Sequence, residues 1–282
     1  MNKFLELTKP RITLFILMST GIGFMFGSRL GHPWTWLELV HTMIGTMLIA
    51  GGTAALNQWY EREGDGLMKR TQRRPIPSGR VTEQHALAFG VALSAAGFAE
   101  LCLGVNLLTG GLALFTLASY LFVYTPLKRV SPISTTIGAI PGAMPPLIGY
   151  AAASGHLNYE AGLLFAILFV WQFPHFYAIA WMYREDYARA GIRMLPVVEP
   201  NLDSTARRIL WFSFALVPLS LAPKFFSMAG NVYLIGAVLL SGMVVYAGLR
   251  ADTLRTPLQA RRVLLASIVY LPVLYGLLAF DS

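Results

Sequence analysis

Charged residues are scarce in this chain: they make up 13% of its 282 residues, against about 25% in an ordinary soluble domain. Cysteine is almost absent, and the lone Cys102 excludes an intramolecular disulfide, a paired-cysteine metal site and a heme-attachment motif. Hydrophobic residues make up 55% of the chain, so water is not the main solvent for this fold. The sequence therefore predicts a membrane protein.

The charge that is present is mostly basic, with a formal net charge of +8. An excess of basic residues of this size is typical of proteins that bind nucleic acid, anionic lipid headgroups or an anionic substrate. The apolar composition argues against nucleic acid. Membrane lipids and an anionic substrate are the expected partners.

Nine apolar runs are long enough to cross a bilayer core about 30 Å thick as helices. They cover residues 12 to 28, 36 to 56, 85 to 105, 108 to 126, 133 to 153, 159 to 182, 208 to 226, 231 to 249 and 262 to 280. Open strands would leave backbone groups unpaired in lipid, and the runs lack the period-two alternation of a barrel. The predicted fold is all-α, a polytopic protein with nine transmembrane helices in a single transmembrane domain over residues 1 to 282.

Basic residues are confined to alternate loops between these runs. Of the 22 lysines and arginines, only Arg29 and Lys224 lie in the other set of loops. The positive-inside rule then predicts a cytoplasmic N-terminus and a C-terminus outside. The first residues lack a cleavable signal site and the composition of a transit peptide, so a bacterial inner membrane is the expected location.

Prolines fall inside two of the predicted spans. Pro141, Pro145 and Pro146 lie in the fifth run, and Pro174 lies in the sixth. Because proline removes a backbone donor and clashes with the preceding turn, we expect both helices to be kinked or interrupted near the centre of the bundle.

A polar segment follows the second predicted span. Asn57, Glu61 and Asp65 are spaced four apart, so on a continuing helix they form one stripe with roughly 6 Å between neighbours. Carboxamide and carboxylate oxygens suit Mg²⁺, and an arginine cluster beside them suits phosphate. That cluster comprises Arg70, Arg73 and Arg74. The pattern predicts a site for a diphosphate and its metal; the alternative is a solvated loop whose basic residues only fix topology.

A second candidate element closes the fourth predicted span, where Tyr124 and Lys128 are followed by Arg129. Lys128 can reach a phosphate as a point charge. Tyr124 lies about one turn deeper, where the lipid-like part of a substrate would lie. A snorkelling lysine in an interfacial aromatic belt explains the same pattern.

A third element closes the sixth predicted span. Glu185 and Asp186 emerge at the same face as the first stripe, so we expect both acidic groups to converge on one metal cluster. His175 lies about 12 Å deeper than Tyr183, and an ionisable group at that depth is a candidate for function. A neutral histidine bonded across helices fits equally well. Trp171 is a candidate wall of a hydrophobic cavity, or simply a packing residue.

Four longer strings resemble a known enzyme family. They are M-K-R-T-Q-R-R-P at 68 to 75, Y-T-P-L-K-R at 124 to 129, W-Q-F-P-H-F at 171 to 176, and Y-R-E-D-Y-A-R-A-G-I-R-M-L-P at 183 to 196. With the stripe and the nine-helix path, they resemble the intramembrane prenyltransferase superfamily, and within it the protoheme IX farnesyltransferase branch. The resemblance covers essentially the whole chain.

The resemblance implies an Mg²⁺-dependent transfer of a farnesyl group from farnesyl diphosphate to a vinyl group of heme B, with water completing the product heme O. It implies that Asn57, Glu61 and Asp65 hold Mg²⁺, with Asp186 and Glu185 contributing from the second loop. The residues it assigns to the diphosphate are Arg70, Arg73, Arg74 and Lys128. The other substrate-binding candidates are Tyr124, Arg129, Trp171, His175, Tyr183 and Arg184. The family also implies a downstream enzyme that oxidises heme O to heme A.

The chain departs from the superfamily pattern at two positions. Glu61 stands where the superfamily usually has aspartate, which lengthens the reach but preserves the charge. The second loop lacks the full Asp-x-x-x-Asp, because Ala190 follows Asp186 by four. The number of metal ions held by that loop is therefore left open.

Three other functions compete with this one. A sister prenyltransferase would act on a quinone precursor or chlorophyll, and the strings at 171 to 176 and 183 to 187 argue against it. A transporter or lipid-binding scaffold usually places its ion site near the midplane, whereas these carboxylates cluster at one face. A heme-binding electron carrier needs facing histidines. His32 and His156 fall in outer loops, and His41 and His175 lie toward opposite faces.

Overall fold

A computed structural model describes residues 2–30 and 34–282, so His32 lies outside the described residues. Within those ranges the chain forms helices joined by turns and contains no strand, which confirms the all-α prediction. In chain order the helices are α1 (Lys3–Leu7), α2 (Pro10–Gly27), α3 (Trp36–Tyr60), α4 (Arg62–Leu67), α5 (Glu83–Gly104), α6 (Leu107–Ala118), α7 (Thr125–Leu127), α8 (Ser134–Gly142), α9 (Pro145–Ser154), α10 (Tyr159–Met182), α11 (Arg184–Arg189), α12 (Leu195–Val198), α13 (Asp203–Phe225), α14 (Asn231–Leu254) and α15 (Pro257–Phe280).

Among the described residues, eight helical segments are long and apolar enough to cross a membrane. They are Pro10–Gly27, Trp36–Tyr60, Glu83–Gly104, Leu107–Leu127, Tyr159–Met182, Asp203–Phe225, Asn231–Leu254 and Pro257–Phe280. Each one matches a run predicted from the sequence. The chain is a multi-pass membrane protein, and the orientation of its termini stays a prediction.

The fifth predicted run is broken in two. α8 ends at Gly142 and α9 begins at Pro145, and each half is shorter than the roughly 20 residues that span a bilayer. Gln172 Nε2 of α10 donates to the carbonyl of Ala139 at 2.9 Å and so pairs a backbone group beside the break. The interruption expected from the prolines is thus confirmed here, whereas Pro174 leaves α10 unbroken from Tyr159 to Met182. A count of nine spanning helices stays a prediction.

Close backbone contacts hold the helices that carry the site. A methyl group on Gly23 of α2 would strike the carbonyl of Pro146 in α9, and one on Gly149 of α9 would strike the carbonyl of Thr20. A methyl group on Gly97 of α5 would also strike the backbone of α3. Small residues allow such contact in membrane proteins, where packing rather than water drives helix association.

The loops that follow α4, α7 and α10 meet at one end of the bundle. The backbone N–H of Arg193 donates to the carbonyl of Lys128 at 2.8 Å. Arg70 Nη2 donates to the Tyr187 hydroxyl at 3.0 Å, and the N–H of Lys69 to Asp186 Oδ1 at 3.4 Å. The three candidate elements of the sequence are therefore brought to the same end of the molecule.

Candidate active site

The predicted polar stripe is present and remains helical across a short break. α3 ends at Tyr60 and α4 begins at Arg62, yet the N–H of Glu61 donates to the Asn57 carbonyl at 2.9 Å, and that of Asp65 to the Glu61 carbonyl at 2.8 Å. The three side chains therefore share one face. Asn57 Nδ2 donates to Glu61 Oε2 at 2.9 Å. Asn57 and Asp65 are each 1% exposed, so neither is part of a solvated loop surface.

Each acid of the stripe is paired with a basic side chain. Lys128 Nζ lies 2.8 Å from Glu61 Oε1, and Arg74 Nη1 lies 2.6 Å from Asp65 Oδ2. Thr71 Oγ1 donates to the Asp65 carbonyl at 2.9 Å, which holds the start of the basic loop against α4. The sequence predicted these acids and bases as one cluster, and the structure brings them together.

The Glu61 and Lys128 side chains titrate as a pair. Burial acts to raise the pKa of Glu61, but the Lys128 ammonium outweighs it, and the pKa of Glu61 falls below its ordinary value. Burial acts to lower the pKa of Lys128, but Glu61 holds that pKa well above its ordinary value. Both groups are consequently charged at neutral pH.

Lys9 is a site residue that sequence reasoning missed. Its Nζ donates to Asn57 Oδ1 at 3.0 Å, although the two residues are 48 positions apart. Burial, together with the nearby Arg74, lowers the pKa of Lys9 to about 7. The available signal was the Lys-Pro-Arg string at 9 to 11, which sets a basic residue at the start of the first span.

Two tyrosine rings lie beneath the Lys128 ammonium. The backbone between α6 and α7 widens into a π-helical segment, Ser119–Tyr124, a rare form that is often found at functional sites. Lys128 Nζ is 4.3 Å from the centre of the Tyr124 ring and 5.9 Å from that of Tyr120. Gly138 packs against the Tyr124 ring and leaves no room for a methyl group.

The second acidic loop borders a separate, larger cavity. Asp186 pairs with Arg189 and accepts from the Lys69 N–H, while Glu185 is exposed. The cavity has a volume of about 500 Å³. Its lining residues are Lys69, Arg70, Trp181, Met182, Tyr183, Arg184, Glu185, Asp186, Arg189 and Pro257. A narrower cavity beside Glu61 and Asp65 is lined in part by Lys128 and Arg129.

The expected convergence of both acidic loops on one metal cluster is not found in the described residues. Across 2–30 and 34–282, no group of three carboxylate, imidazole or thiol side chains is arranged to hold a metal ion. The physical reason lies in the pairing of Asp186, whose carboxylate is turned to Arg189 and to the Lys69 backbone. The pairing with Arg189 is a local i,i+3 contact within α11, whereas the contact with the Lys69 backbone depends on how α11 is rotated and could not be derived from the sequence.

The arginine cluster is divided between different environments. The Arg70 guanidinium lies 4.9 Å from the Tyr187 ring centre and 5.4 Å from that of Tyr183. Arg73 is exposed, and its carbonyl accepts from Arg80 Nη2 at 2.6 Å. Only Arg74 of the three reaches the stripe.

The aromatic candidates of α10 lie against α15. Trp171 Nε1 donates to the Ser267 carbonyl at 2.8 Å, and His175 Nδ1 is 2.9 Å from Ser267 Oγ. The Trp171 and His175 rings stack with their centres 4.7 Å apart. These contacts are of the kind expected for a histidine bonded across helices, and a role in substrate binding stays a prediction.

The stripe fits a magnesium ion by the chemistry of its donors. One carboxamide and two carboxylates supply hard oxygens, and three basic side chains already lie against them. A divalent cation bound here would share or replace these basic partners. Because Mg²⁺ takes only one or two protein carboxylates and completes its shell with water and phosphate oxygens, a cluster of three acids is not required.

An all-α membrane bundle with paired acids and bases at one end suits an intramembrane protein that binds an anionic substrate. The UbiA prenyltransferase family matches residues 16–271, so the chain belongs to that family. It is 61% identical over 288 residues to a Solibacter usitatus protein named protoheme IX farnesyltransferase, covering 100% of this chain and 99% of that protein. The resemblance carried by the four sequence strings is thereby confirmed.

More distant relatives carry the same name. A Koribacter versatilis protoheme IX farnesyltransferase is 45% identical over 289 residues, covering 100% of this chain and 93% of that one. The mitochondrial protein of Arabidopsis thaliana is 37% identical over 268 residues, covering 95% and 62%. The shared name supports heme O synthesis by prenyl transfer.

Solved structures of other prenyltransferases share the fold. A digeranylgeranylglyceryl phosphate synthase superposes with a TM-score of 0.81 at 18% identity, covering 99% of this chain and 97% of that one. A UbiA homologue from Archaeoglobus fulgidus bound to GPP and Mg²⁺ gives a TM-score of 0.66 at 18% identity, covering 99% and 100%.

Proposed function

We propose that this protein transfers a farnesyl group from farnesyl diphosphate to a vinyl group of heme B, with addition of water, giving heme O and diphosphate. The reaction takes place at the cytoplasmic side of a bacterial inner membrane. The observation that carries the proposal is the ion-paired stripe of Asn57, Glu61 and Asp65 at the end of the bundle where the basic loops meet.

The stripe suits the diphosphate end of the substrate. Arg74 and Lys128 lie within hydrogen-bond distance of the acids and can turn to phosphate oxygens, where a guanidinium binds as a fork and an ammonium as a point charge. Both would stabilise the negative charge that develops on the departing diphosphate. Asn57, Glu61 and Asp65 would hold Mg²⁺, and Asp186 would contribute by turning its carboxylate away from Arg189. That ion would supply further charge stabilisation to the leaving group.

The apolar interior suits the prenyl chain. The rings of Tyr124 and Tyr120 lie within 5.9 Å of the Lys128 ammonium, so aromatic faces border the polar end of the site. An allylic cation formed on loss of diphosphate would be protected from early capture by water in this environment. Aromatic faces would also stabilise it.

Relatives support the choice of metal and acceptor. The Archaeoglobus fulgidus homologue holds GPP and Mg²⁺, and a prenyl diphosphate with magnesium is the substrate form proposed here. The relatives named protoheme IX farnesyltransferase extend over the full chain, which favours heme B as acceptor. The basic loops would place the site in the cytoplasm by the positive-inside rule.

The test is mass analysis of heme extracted after purified protein is incubated with ferrous heme B, farnesyl diphosphate and Mg²⁺. We expect a farnesyl-hydroxyethyl adduct that is lost in Asp65→Asn and absent when the metal is chelated. Glu63→Gln is the matched control, because Glu63 lies on the same short helix with its side chain 78% exposed. If Glu63→Gln forms the adduct at the wild-type level, the loss of adduct in Asp65→Asn is specific to the stripe.

Other outcomes would change the assignment. Unchanged heme, with diphosphate released when a quinone precursor is supplied, would identify a sister prenyltransferase. Release of no diphosphate from any prenyl donor would contradict an enzymatic role and favour transport.

A further inference from the structure

Residues 2–9, which precede the first span, form an N-terminal arm that is attached to the active site. Leu7 of α1 is fully buried, and its carbonyl accepts from Gln58 Nε2 of α3 at 2.9 Å. Glu6 binds Arg80 of the basic loop through two hydrogen bonds of 2.7 and 2.9 Å. The arm is therefore attached both to the helix that carries the stripe and to the loop that follows it, and Lys9 is its last residue before α2.

Lys9 has a backbone conformation that its type and its neighbour disfavour. Its φ is 50° and its ψ is 61°, in the left-handed region, which lysine rarely adopts. Pro10 follows it, and a residue before proline normally takes an extended conformation. A strained backbone conformation persists where surrounding contacts hold it in place, and such residues concentrate at functional sites. Here the conformation accompanies the contact of the Lys9 ammonium with Asn57.

Chemistry fixes the orientation of the Asn57 carboxamide between its neighbours. An ammonium can only donate a hydrogen bond, and an ionised carboxylate can only accept one. Because the ionised Glu61 can only accept, the Asn57 nitrogen must face Glu61, at 2.9 Å, which leaves the Asn57 oxygen facing Lys9, at 3.0 Å. Thr125 Oγ1 lies 3.4 Å from the same nitrogen. The side chain of Lys9 thus occupies the oxygen that the proposed function assigns to the metal.

We propose that Lys9 and the metal ion compete for Asn57 Oδ1, and that Lys9 is a diphosphate-binding residue which leaves that oxygen when substrate arrives. This inference rests on the proposed function. In the substrate-free protein the ammonium satisfies the oxygen and hinders metal binding. When a diphosphate binds, its oxygens give the ammonium a stronger, doubly charge-assisted partner, and Asn57 becomes free for the metal.

The competition makes the two ligands depend on each other. A group that opposes the metal and favours the diphosphate couples the two binding events, and such coupling is reciprocal. Removal of the ammonium should therefore move the two affinities in opposite directions. A variant that merely damages the arm would weaken both.

The test compares Lys9→Met with wild type in two separate calorimetric titrations of purified protein. The first probe is Mn²⁺ alone, and the second is inorganic diphosphate alone in buffer with a chelator. We expect Lys9→Met to bind Mn²⁺ several-fold more tightly and diphosphate about tenfold to a hundredfold more weakly, because a hydrogen bond between charged groups is lost. Lys3→Met is the matched control, since Lys3 is an exposed lysine on the same arm.

Two further variants keep the test decisive. Lys9→Asn removes the charge while suiting a left-handed backbone, and it should reproduce the opposite shifts of Lys9→Met even if the methionine variant folds poorly. Lys9→Arg keeps a charge and should retain most of the diphosphate affinity.

The possible failures are distinguishable. If Lys9→Met and Lys9→Asn match wild type in both titrations, or weaken both, while wild type still makes the farnesyl adduct, the inference is overturned and the proposed function stands. If wild type binds neither probe, this inference is overturned, and the proposed function is overturned with it only if wild type also makes no farnesyl adduct.

Discussion

Arg74 Nη1 donates to Asp65 Oδ2 at 2.6 Å, and the Asp65 side chain is 1% exposed while that of Arg74 is 24% exposed. The pair joins the last acid of the stripe to the last arginine of the cluster, nine residues later. The loop between them folds back on α4, so a ligand held by Asp65 would also meet a guanidinium.

Removal of Arg74 should destabilise the protein. Arg74→Met leaves a buried carboxylate without its partner, which costs roughly 3 kcal/mol in comparable buried pairs. We expect a lower thermal unfolding midpoint in detergent, and a smaller loss in the double variant Arg74→Met with Asp65→Asn. Arg73→Met is the control, because Arg73 is exposed and lies outside the stripe. Equal midpoints for Arg74→Met and Arg73→Met would show that the pair contributes no stability.

The pair of Glu61 and Lys128 should stabilise the fold only within a pH window. The pKa of Glu61 is below its ordinary value of 4.5, so its contribution is present above that value and is lost as pH falls through the lowered pKa. The pKa of Lys128 is above its ordinary value of 10.5, so its contribution is present below that value and is lost only as pH rises through the raised pKa.

The measurement is the difference in unfolding midpoint between wild type and Lys128→Met across pH. We expect a difference that is present at neutral pH and decreases as pH falls below about 5. Arg129→Met should show no such profile, because Arg129 is exposed. A difference that grows on acidification would contradict the pairing.

Close contact between α2 and α9 should make Gly23 intolerant of a side chain. Gly23→Ala places a methyl group against the Pro146 backbone, which cannot move as a side chain can, and overpacking of this kind costs about 1–3 kcal/mol or more. The readout is the unfolding midpoint in one detergent. Gly162→Ala in α10 meets nothing within 4 Å and should be neutral or slightly stabilising, since alanine favours helix.

The Tyr124 ring should contribute to substrate binding through Lys128. Tyr124→Leu removes a ring centred 4.3 Å from the Lys128 ammonium. The lost cation–π interaction contributes about 1–2 kcal/mol. We therefore expect the KM for farnesyl diphosphate to rise roughly fivefold to thirtyfold. Tyr124→Phe keeps the ring and should stay near wild type. Phe122→Leu, at a position 74% exposed on the same span, is the control. An unchanged KM in Tyr124→Leu would exclude this role.

Local spacing allowed much of the site to be predicted. Asn57, Glu61 and Asp65 could be placed on one face because a helix repeats every 3.6 residues, and the structure keeps that repeat through the junction at Glu61. The meeting of the basic loops also followed from the alternation of charge along the chain. The helical repeat acts within a few residues, and the alternation of charge is repeated at every span, so both can be read from the sequence.

The features that escaped prediction depend on tertiary contacts. Lys9 reaches Asn57 across 48 positions through a backbone conformation that its sequence disfavours. The contact of the Asp186 carboxylate with the Lys69 backbone depends on the rotation of α11 against the Lys69 loop. The π-helical segment that sets Tyr124 beneath Lys128 has no sequence signature of its own. None of these could be derived from periodicity.

The pairing of acids with bases at the stripe has a consequence for the speed of substrate capture. Glu61 and Asp65 are already ion-paired with Lys128 and Arg74. When a magnesium diphosphate complex binds, the acids turn to the metal and the bases turn to the phosphate, so the net charge of the site changes little. Long-range attraction is screened over about 8 Å in physiological salt and speeds association only where charge is unbalanced. These two pairs should therefore add little to the ionic-strength dependence of substrate capture, which the exposed Arg73 and Arg129 at the same end would carry instead.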